Sequence, residues 1–370
     1  MTFAFTDEQQ ELRSTAARFL EEKSSSEKVR ELMETEAGFD EATWKQIADL
    51  GWLGMAIPES YGGVGFGPVE TMVLLEEMGK KLFCGPFFSS IILGANAILN
   101  AGTEDQKKEL LPGIADGTTR AALAFVEPNG KWELEGIELE AKESGGEWTL
   151  TGSKSYVVDG HTANLLIVAA KTGSDVSLFI VDPDASGVTR TALTTLDMTR
   201  KQAKIDFADT PAKLLGEKGK GAEALTRTLD QAAAALSAEM VGGSQACLDA
   251  STTYAKERYQ FGRPIGSFQA IKHKCANMLM EVEMSRSAAY YAGWAAAEDP
   301  EELSLAASLA KAYCSDAFFH AAAENIQIHG GIGFTWEHDA HLYFRRAKSS
   351  EIYLGDATYH RELVAQKLGV

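Results

Sequence analysis

Apolar positions in residues 6 to 24 recur at the spacing of an amphipathic helix, with Leu12, Phe19 and Leu20 facing a core. Thr6 and Gln9 form a capping-box pattern at its start, each side chain able to satisfy the other's backbone N–H. A second helix covers Glu41 to Leu50 and ends before Gly51. GMAIPESYGGVGFGP then interrupts the pattern. It contains GxGxG, but no strand–turn–helix context surrounds it, so it reads as a turn before a helix starting near Pro68 and not as a phosphate cradle. Helical patterns resume through Val69 to Gly79 and Ser89 to Asn100.

From about Thr118 the pattern changes to short β-branched runs separated by Gly, Asp, Pro and Ser: EWTLTGSKSYVVDG, ANLLIVAA, VSLFIVD and GVTRTAL. These predict a small β-barrel or sandwich ending near Pro211. Beyond Gly221 helix formers return in long apolar stripes, alanine-rich at 232–236 and 305–312. The order predicts an α+β, mostly α chain: an N-terminal helical domain over 1–117, a middle β domain over 118–211 and a C-terminal helical domain over 218–370. A dinucleotide-binding βαβ domain does not fit this segregation.

Composition narrows the function classes. The chain has 370 residues, 45% of them hydrophobic, enough for a sizeable core in two or three domains. With 35 basic and 53 acidic residues, its formal charge is −18 without long single-sign blocks. That excludes a basic surface for nucleic acid or anionic membranes. The N-terminal residues lack the basic and apolar regions of a secretory leader, and no apolar stretch is long enough to span a bilayer. Cys84, Cys247, Cys275 and Cys314 are widely spaced. They read as reduced, mostly buried thiols of a cytoplasmic protein, with no metal site.

Two blocks, YAKERYQFGRPIGSFQ from Tyr254 and IQIHGGIGFTWEHDAHLYFRR from Ile326, resemble the acyl-CoA dehydrogenase family. LGWLGMAIPESYGGVGFG resembles its N-terminal block, so the resemblance covers essentially the whole chain. It implies a C-terminal four-helix bundle and FAD shared at a subunit interface. On residue chemistry, Arg258 can fork onto a pyrophosphate, while Phe261 and Gly262 allow an aromatic face and bare backbone to approach a nucleotide. Gln269, eleven residues on, would lie three turns along and on the same side of a helix as Arg258. Gln327 offers amide hydrogen bonds, and Gly330 and Gly331 permit close backbone approach. The resemblance implies that Arg258, Phe261, Gln269, Gln327, Gly330 and Gly331 hold FAD.

The reacting half departs from the family pattern. Family members abstract the acyl α-proton with a glutamate in a Y-E-G-T-like segment; here it reads Tyr353-Leu354-Gly355-Asp356. The other family position, in L-D-x-E-R, corresponds to Leu229 to Ala233, with Ala232 in place of the acid. Neither Leu354 nor Ala232 can accept a proton, so no catalytic base is expected. The T-E-P-x-x-G-S-D segment is VEPNGKWE, and K-x-W-I-T is Lys154 to Val158: Glu127 and Pro128 persist, while Val126 and Val158 replace hydroxyls. Tyr156 keeps an aromatic ring.

Asp356 and Glu239 are the candidates for a relocated base. Asp356 lies two residues, about 200° of helix, from Leu354, and reads as the N-cap of the terminal segment. Glu239 is two turns past Ala232 and reads as solvated or ion-paired. His338 and His341 read as surface histidines, and Arg345, Arg346 and Lys348 as a solvated or interface face.

The chain therefore resembles the non-catalytic, β-type subunit of bacterial heterotetrameric acyl-CoA dehydrogenases of steroid side-chain degradation, as do GDATYHRE and the short tail after Arg361. The expected partners are a catalytic acyl-CoA dehydrogenase paralogue, or a second copy in a homo-oligomer, with acyl-CoA and an electron-transfer flavoprotein. FAD would be shared, and scarce on the chain alone. The alternatives are a complete homomeric dehydrogenase using Asp356 or Glu239, a structural or acyl-CoA-binding protein without flavin, and a flavin monooxygenase on the same scaffold.

Overall fold

The computed structural model describes residues 5–370. It divides into two compact units: one comprises the chain up to Arg30, Pro68–Phe83 and Ala233–Val370, the other Glu31–Gly67 and Cys84–Ala232.

The second unit is built around a closed sheet. Its strands are β1 (Ala121–Ala124), β2 (Glu140–Ser144), β3 (Glu147–Val158), β4 (Leu165–Thr172), β5 (Asp175–Val181), β6 (Val188–Ala192) and β7 (Gln202–Leu215). Pairing runs from β4 through β2, β3, β7 and β5 back to β4, so the ring has no free edge among these five strands. Trp148 and Leu150 of β3 point inward against Phe179 and Leu166, as alternation along a strand requires. β1 pairs in parallel with β4, Ala121 opposite Leu165.

This unit also holds α3 (Glu41–Asp49), capped by Asp40, whose carboxylate accepts from the Thr43 N–H at 2.8 Å. The expected Ser89–Asn100 helix is wider-wound: Phe88–Ala95 is π-helical and continues into a short α-helix, Asn96–Ala101. Gly94 is required there, because a Cβ would lie 2.5 Å from Ala121 Cβ.

In the first unit, α1 (Asp7–Lys23) begins with the expected Thr6–Gln9 capping box. Of its three predicted apolar positions, Leu20 is fully buried while Leu12 and Phe19 are partly buried. α4 (Pro68–Lys80) brings Glu76 into the core with no exposed surface. Its carboxylate lies 2.6 Å from Arg13, 3.3 Å from Arg286 and 2.8 Å from the Tyr290 hydroxyl, which donates to it.

The long helices are α7 (Gly221–Glu257), α8 (Gln269–Glu298) and α9 (Leu303–His329), followed by α10 (Ala340–Ile352) and α11 (Ala357–Leu368). α9 packs against α8, α10 and α11 and is buried along most of its length, so its apolar residues surround the axis and do not form one stripe. α4 crosses α7 at two glycines. A Cβ on Gly79 would sit 2.1 Å from the Glu239 carbonyl oxygen, and one on Gly242 1.9 Å from that of Glu76. Among the described residues no helix is long and apolar enough to cross a membrane.

Candidate functional site

Two contacts set the ends of α7 and α9 side by side. The Ser251 hydroxyl bonds the Asn325 side chain at 3.0 Å, and the Tyr254 ring stacks on His329 at 4.3 Å. Arg258 follows one turn after Tyr254, and Gly330 follows His329 directly, so these segments share one end of the bundle.

The run from Arg258 to Gln269 is not helical, contrary to the three-turn spacing expected from the sequence. α7 stops at Glu257, a hairpin of β8 (Tyr259–Gln260) and β9 (Arg263–Pro264) intervenes, and Gln269 is the first residue of α8. Phe261 and Gly262 form the hairpin tip at φ 56° and 77°; a turn with two consecutive positive φ angles favours glycine at the second. Phe261 is 90% exposed. Arg258, Gln269 and Gln327 are exposed as well.

Gly330 ends α9 at φ 65°, and both it and Gly331 have open space where a Cβ would project. Bare backbone, amide side chains and a guanidinium, all reaching solvent, suit the phosphates and ribose of a dinucleotide. These residues therefore fit the nucleotide end of FAD.

The segments expected to carry the reaction are placed differently. Leu354 lies in the turn between α10 and α11, 5% exposed, with φ 63°. Ala232, at the alternative position, is fully buried in α7. Glu239 is buried and pairs with Arg346 at 2.6 Å. This corrects the expectation that Arg346 belongs to a solvated or interface face, since the fold buries it as the counter-charge of Glu239. The Asp356 carboxylate is exposed and accepts from the Tyr359 N–H at 2.8 Å, capping α11. Its expected capping role is what the structure shows. His341 is likewise not on the surface; it is buried against Trp336, ring centroids 4.6 Å apart.

In the β unit, Tyr156 is 45% exposed and held at φ 58° on β3, while Val126 and Val158 are buried. Beside Tyr156, Lys154 is completely buried and donates to Glu127 at 2.7 Å and to the Phe125 carbonyl at 3.2 Å. Glu127 also accepts from the N–H groups of Glu138 and Leu139. Burial lowers the Lys154 ammonium to about 8, against the opposing pull of Glu127. The pair ties the segment that follows β1 to β3, two residues before the strained tyrosine.

Sequence reasoning missed Lys311. It is fully buried in α9 and reaches the backbone of the Leu354 turn, donating to the Glu351 carbonyl at 3.0 Å and the Gly355 carbonyl at 2.8 Å. A lysine within an alanine-rich run gave no signal beyond its improbable place in an apolar helix.

Comparison with known proteins agrees with this architecture. Residues 6–118 match the acyl-CoA dehydrogenase N-terminal domain, 122–210 its middle domain and 219–369 its C-terminal domain. The chain is 33% identical over 387 residues to a probable acyl-CoA dehydrogenase, YngJ, of Bacillus subtilis, covering all of both chains. It superposes on the butyryl-CoA dehydrogenase of Megasphaera elsdenii with TM-score 0.92 and 29% identity over the whole of both chains. A chain of the ChsE4–ChsE5 complex of Mycobacterium tuberculosis gives TM-score 0.91 and 28% identity, covering 100% of this chain and 99% of that one. The protein belongs to the acyl-CoA dehydrogenase family.

Proposed function

We propose that this chain is the base-less partner subunit of an FAD-dependent acyl-CoA dehydrogenase, completing the cofactor site of a paralogue that carries the glutamate. The observation that carries this reading is Leu354: the turn is formed, but its side chain cannot take an acyl α-proton. The two candidate replacements are engaged elsewhere, Glu239 with Arg346 and Asp356 at the start of α11. Removing Glu239 from that pair would leave a buried arginine without its counter-charge, a costly arrangement.

FAD, when bound, supplies the acceptor for the hydride leaving the acyl β-carbon. This chain's own contribution is binding: Arg258 on the pyrophosphate, Gln269 and Gln327 as amide donors and acceptors, Gly330 and Gly331 as uncovered backbone, and Phe261 as an exposed aromatic face. Exposure of all six supports a surface completed by a second subunit. The similarity to a chain from a complex of two differently named proteins, ChsE4 and ChsE5, supports a hetero-oligomer, which this reading assigns to the degradation of steroid side chains. Acyl-CoA would be the substrate of the assembled enzyme and an electron-transfer flavoprotein its electron acceptor, in the cytoplasm. The domains in this reading are 1–117, 118–211 and 218–370.

Expressed alone, the purified chain is expected to carry little FAD and to dehydrogenate no acyl-CoA. Co-expression with a glutamate-bearing paralogue should give a complex with stoichiometric FAD and turnover. Full flavin occupancy together with turnover by the chain alone would overturn the proposal. Absence of flavin absorbance from both the chain and the complex would favour a structural or acyl-CoA-binding role.

A further inference from the structure

The turn that carries Leu354 is gripped from two sides through backbone atoms alone. Lys311 Nζ donates to the Glu351 carbonyl at 3.0 Å, the Gly355 carbonyl at 2.8 Å and the Ser315 hydroxyl at 3.0 Å. An ammonium has three donors, and here each has one acceptor. From α11, His360 Nε2 lies 2.9 Å from the Leu354 carbonyl and donates to it.

Such a grip has something to hold. Leu354 sits at φ 63° and Gly355 at φ 94°. A left-handed conformation costs a non-glycine residue roughly 1–2 kcal/mol. At Gly355 a Cβ would lie 2.2 Å from the Tyr359 ring, so the second position is closed to any side chain. None of the gripping contacts involves the Leu354 side chain, so the grip itself does not depend on which side chain stands at 354.

We propose that Lys311, assisted by His360, is the positioning residue of this turn, fixing where the side chain at 354 stands. The reading of the turn as part of the acyl site is the one proposed above. The grip itself explains how the turn remains formed when its residue is a leucine.

The same geometry gives a proton-linked signature. Lys311 is ringed by Ser315, Cys314 and Asp316 of α9, by Glu351 of α10, and by Asp356 and His360 from the α11 side. Burial lowers its ammonium from 10.5 to about 7. Opening the turn to water would restore the ordinary value, so opening takes up a proton between pH 7 and 10.5. The closed turn is then favoured as pH rises through that window, and the preference is constant below it.

Hydrogen–deuterium exchange of the segment 349–358, corrected for the intrinsic pH dependence of exchange, tests this on the full chain. In wild type the opening constant should fall between pH 7 and pH 9, by at most about tenfold per unit. In Lys311→Met, the segment should exchange at least about tenfold faster at pH 7, because two buried carbonyls lose their donor. Its residual pH dependence across the same window should vanish, whereas the middle of α9 should change much less. A folded Lys311→Met protein with wild-type protection and slope in 349–358 would overturn the proposal. Should that variant fail to fold, Lys311→Gln takes its place: it lacks the charge and the reach of the ammonium, and wild-type protection and slope in 349–358 would likewise overturn the proposal. Exchange reads the turn whether or not FAD binds, so this test and the partner-subunit test can fail separately.

Discussion

At the scale of single residues, the question is whether any acid in this chain stands in for the missing glutamate. Asp356 is two residues from Leu354, but its carboxylate is spent on the Tyr359 N–H and faces solvent. Removing it as Asp356→Ala should therefore cost about 1 kcal/mol of stability, the usual loss of an N-cap. Turnover by the assembled complex should stay within a factor of two or three, read as kcat with saturating acyl-CoA. Loss of a general base would instead cost about 10²–10⁴ in rate, and a drop of that size would make Asp356 the catalytic base. That neither Leu354 nor Ala232 can take a proton was legible from the sequence, because neither side chain has a lone pair in any conformation. The burial of Glu239 and Lys311 was not, because their partners, Arg346 and the carbonyls of Glu351 and Gly355, lie on α10 and in the turn after it. A charged residue in a long helix has no local sign of whether the fold will bury it.

At the scale of elements, local signals and tertiary ones separate clearly. The Thr6–Gln9 capping box predicted α1 correctly, and Thr103–Gln106 carries the same box at the start of Glu104–Ala115, a helix the apolar pattern alone did not reveal. The strands with β-branched runs, β3 to β6, were visible; β1, four small residues AALA, is a strand because β4 lies beside it. The Arg258–Gln269 spacing failed for the opposite reason. Its helical reading ignored FGRP, whose glycine and proline demand the hairpin found there. The α4–α7 crossing is another element-level property that no one-dimensional pattern displays, since its two glycines lie 163 positions apart in the chain. Gly242→Ala would drive a methyl to 1.9 Å from the Glu76 carbonyl oxygen, with backbone and not a flexible side chain as its neighbour. The helices must separate, and the expected loss is about 1–3 kcal/mol or more. The denaturation midpoint should fall accordingly. An unchanged midpoint would mean that the helices do not meet at this spacing.

At the scale of the whole molecule, three buried bases impose a common pH dependence although they serve different parts of the fold. Burial, aided by the nearby Lys311, lowers His360 from 6.5 to about 4. Burial also lowers Lys311 from 10.5 to about 7 and Lys154 from 10.5 to about 8. Each binds its proton more weakly folded than unfolded, so each adds stability as pH rises: His360 between pH 4 and 6.5, Lys311 from 7 to 10.5 and Lys154 from 8 to 10.5. Opposing groups enter from about pH 9, where burial holds the Cys247 and Cys314 thiols above their ordinary value of 9.0 and the Tyr290 and Tyr343 hydroxyls above 10.0. Those groups lose their contribution as pH climbs through and beyond the ordinary values. Stability from these groups should accordingly climb from pH 4 to about 9, while repulsion within a chain of formal charge −18 works against the rise at its upper end. The acid limb isolates one residue. His360→Gln keeps an amide donor for the Leu354 carbonyl but cannot titrate. Unfolding free energies from urea melts at pH 4, 5, 6 and 7 should show wild type losing roughly 3 kcal/mol more than the variant on going from pH 6.5 to 4. Parallel curves for the two proteins would show that His360 is not the acid-sensitive element.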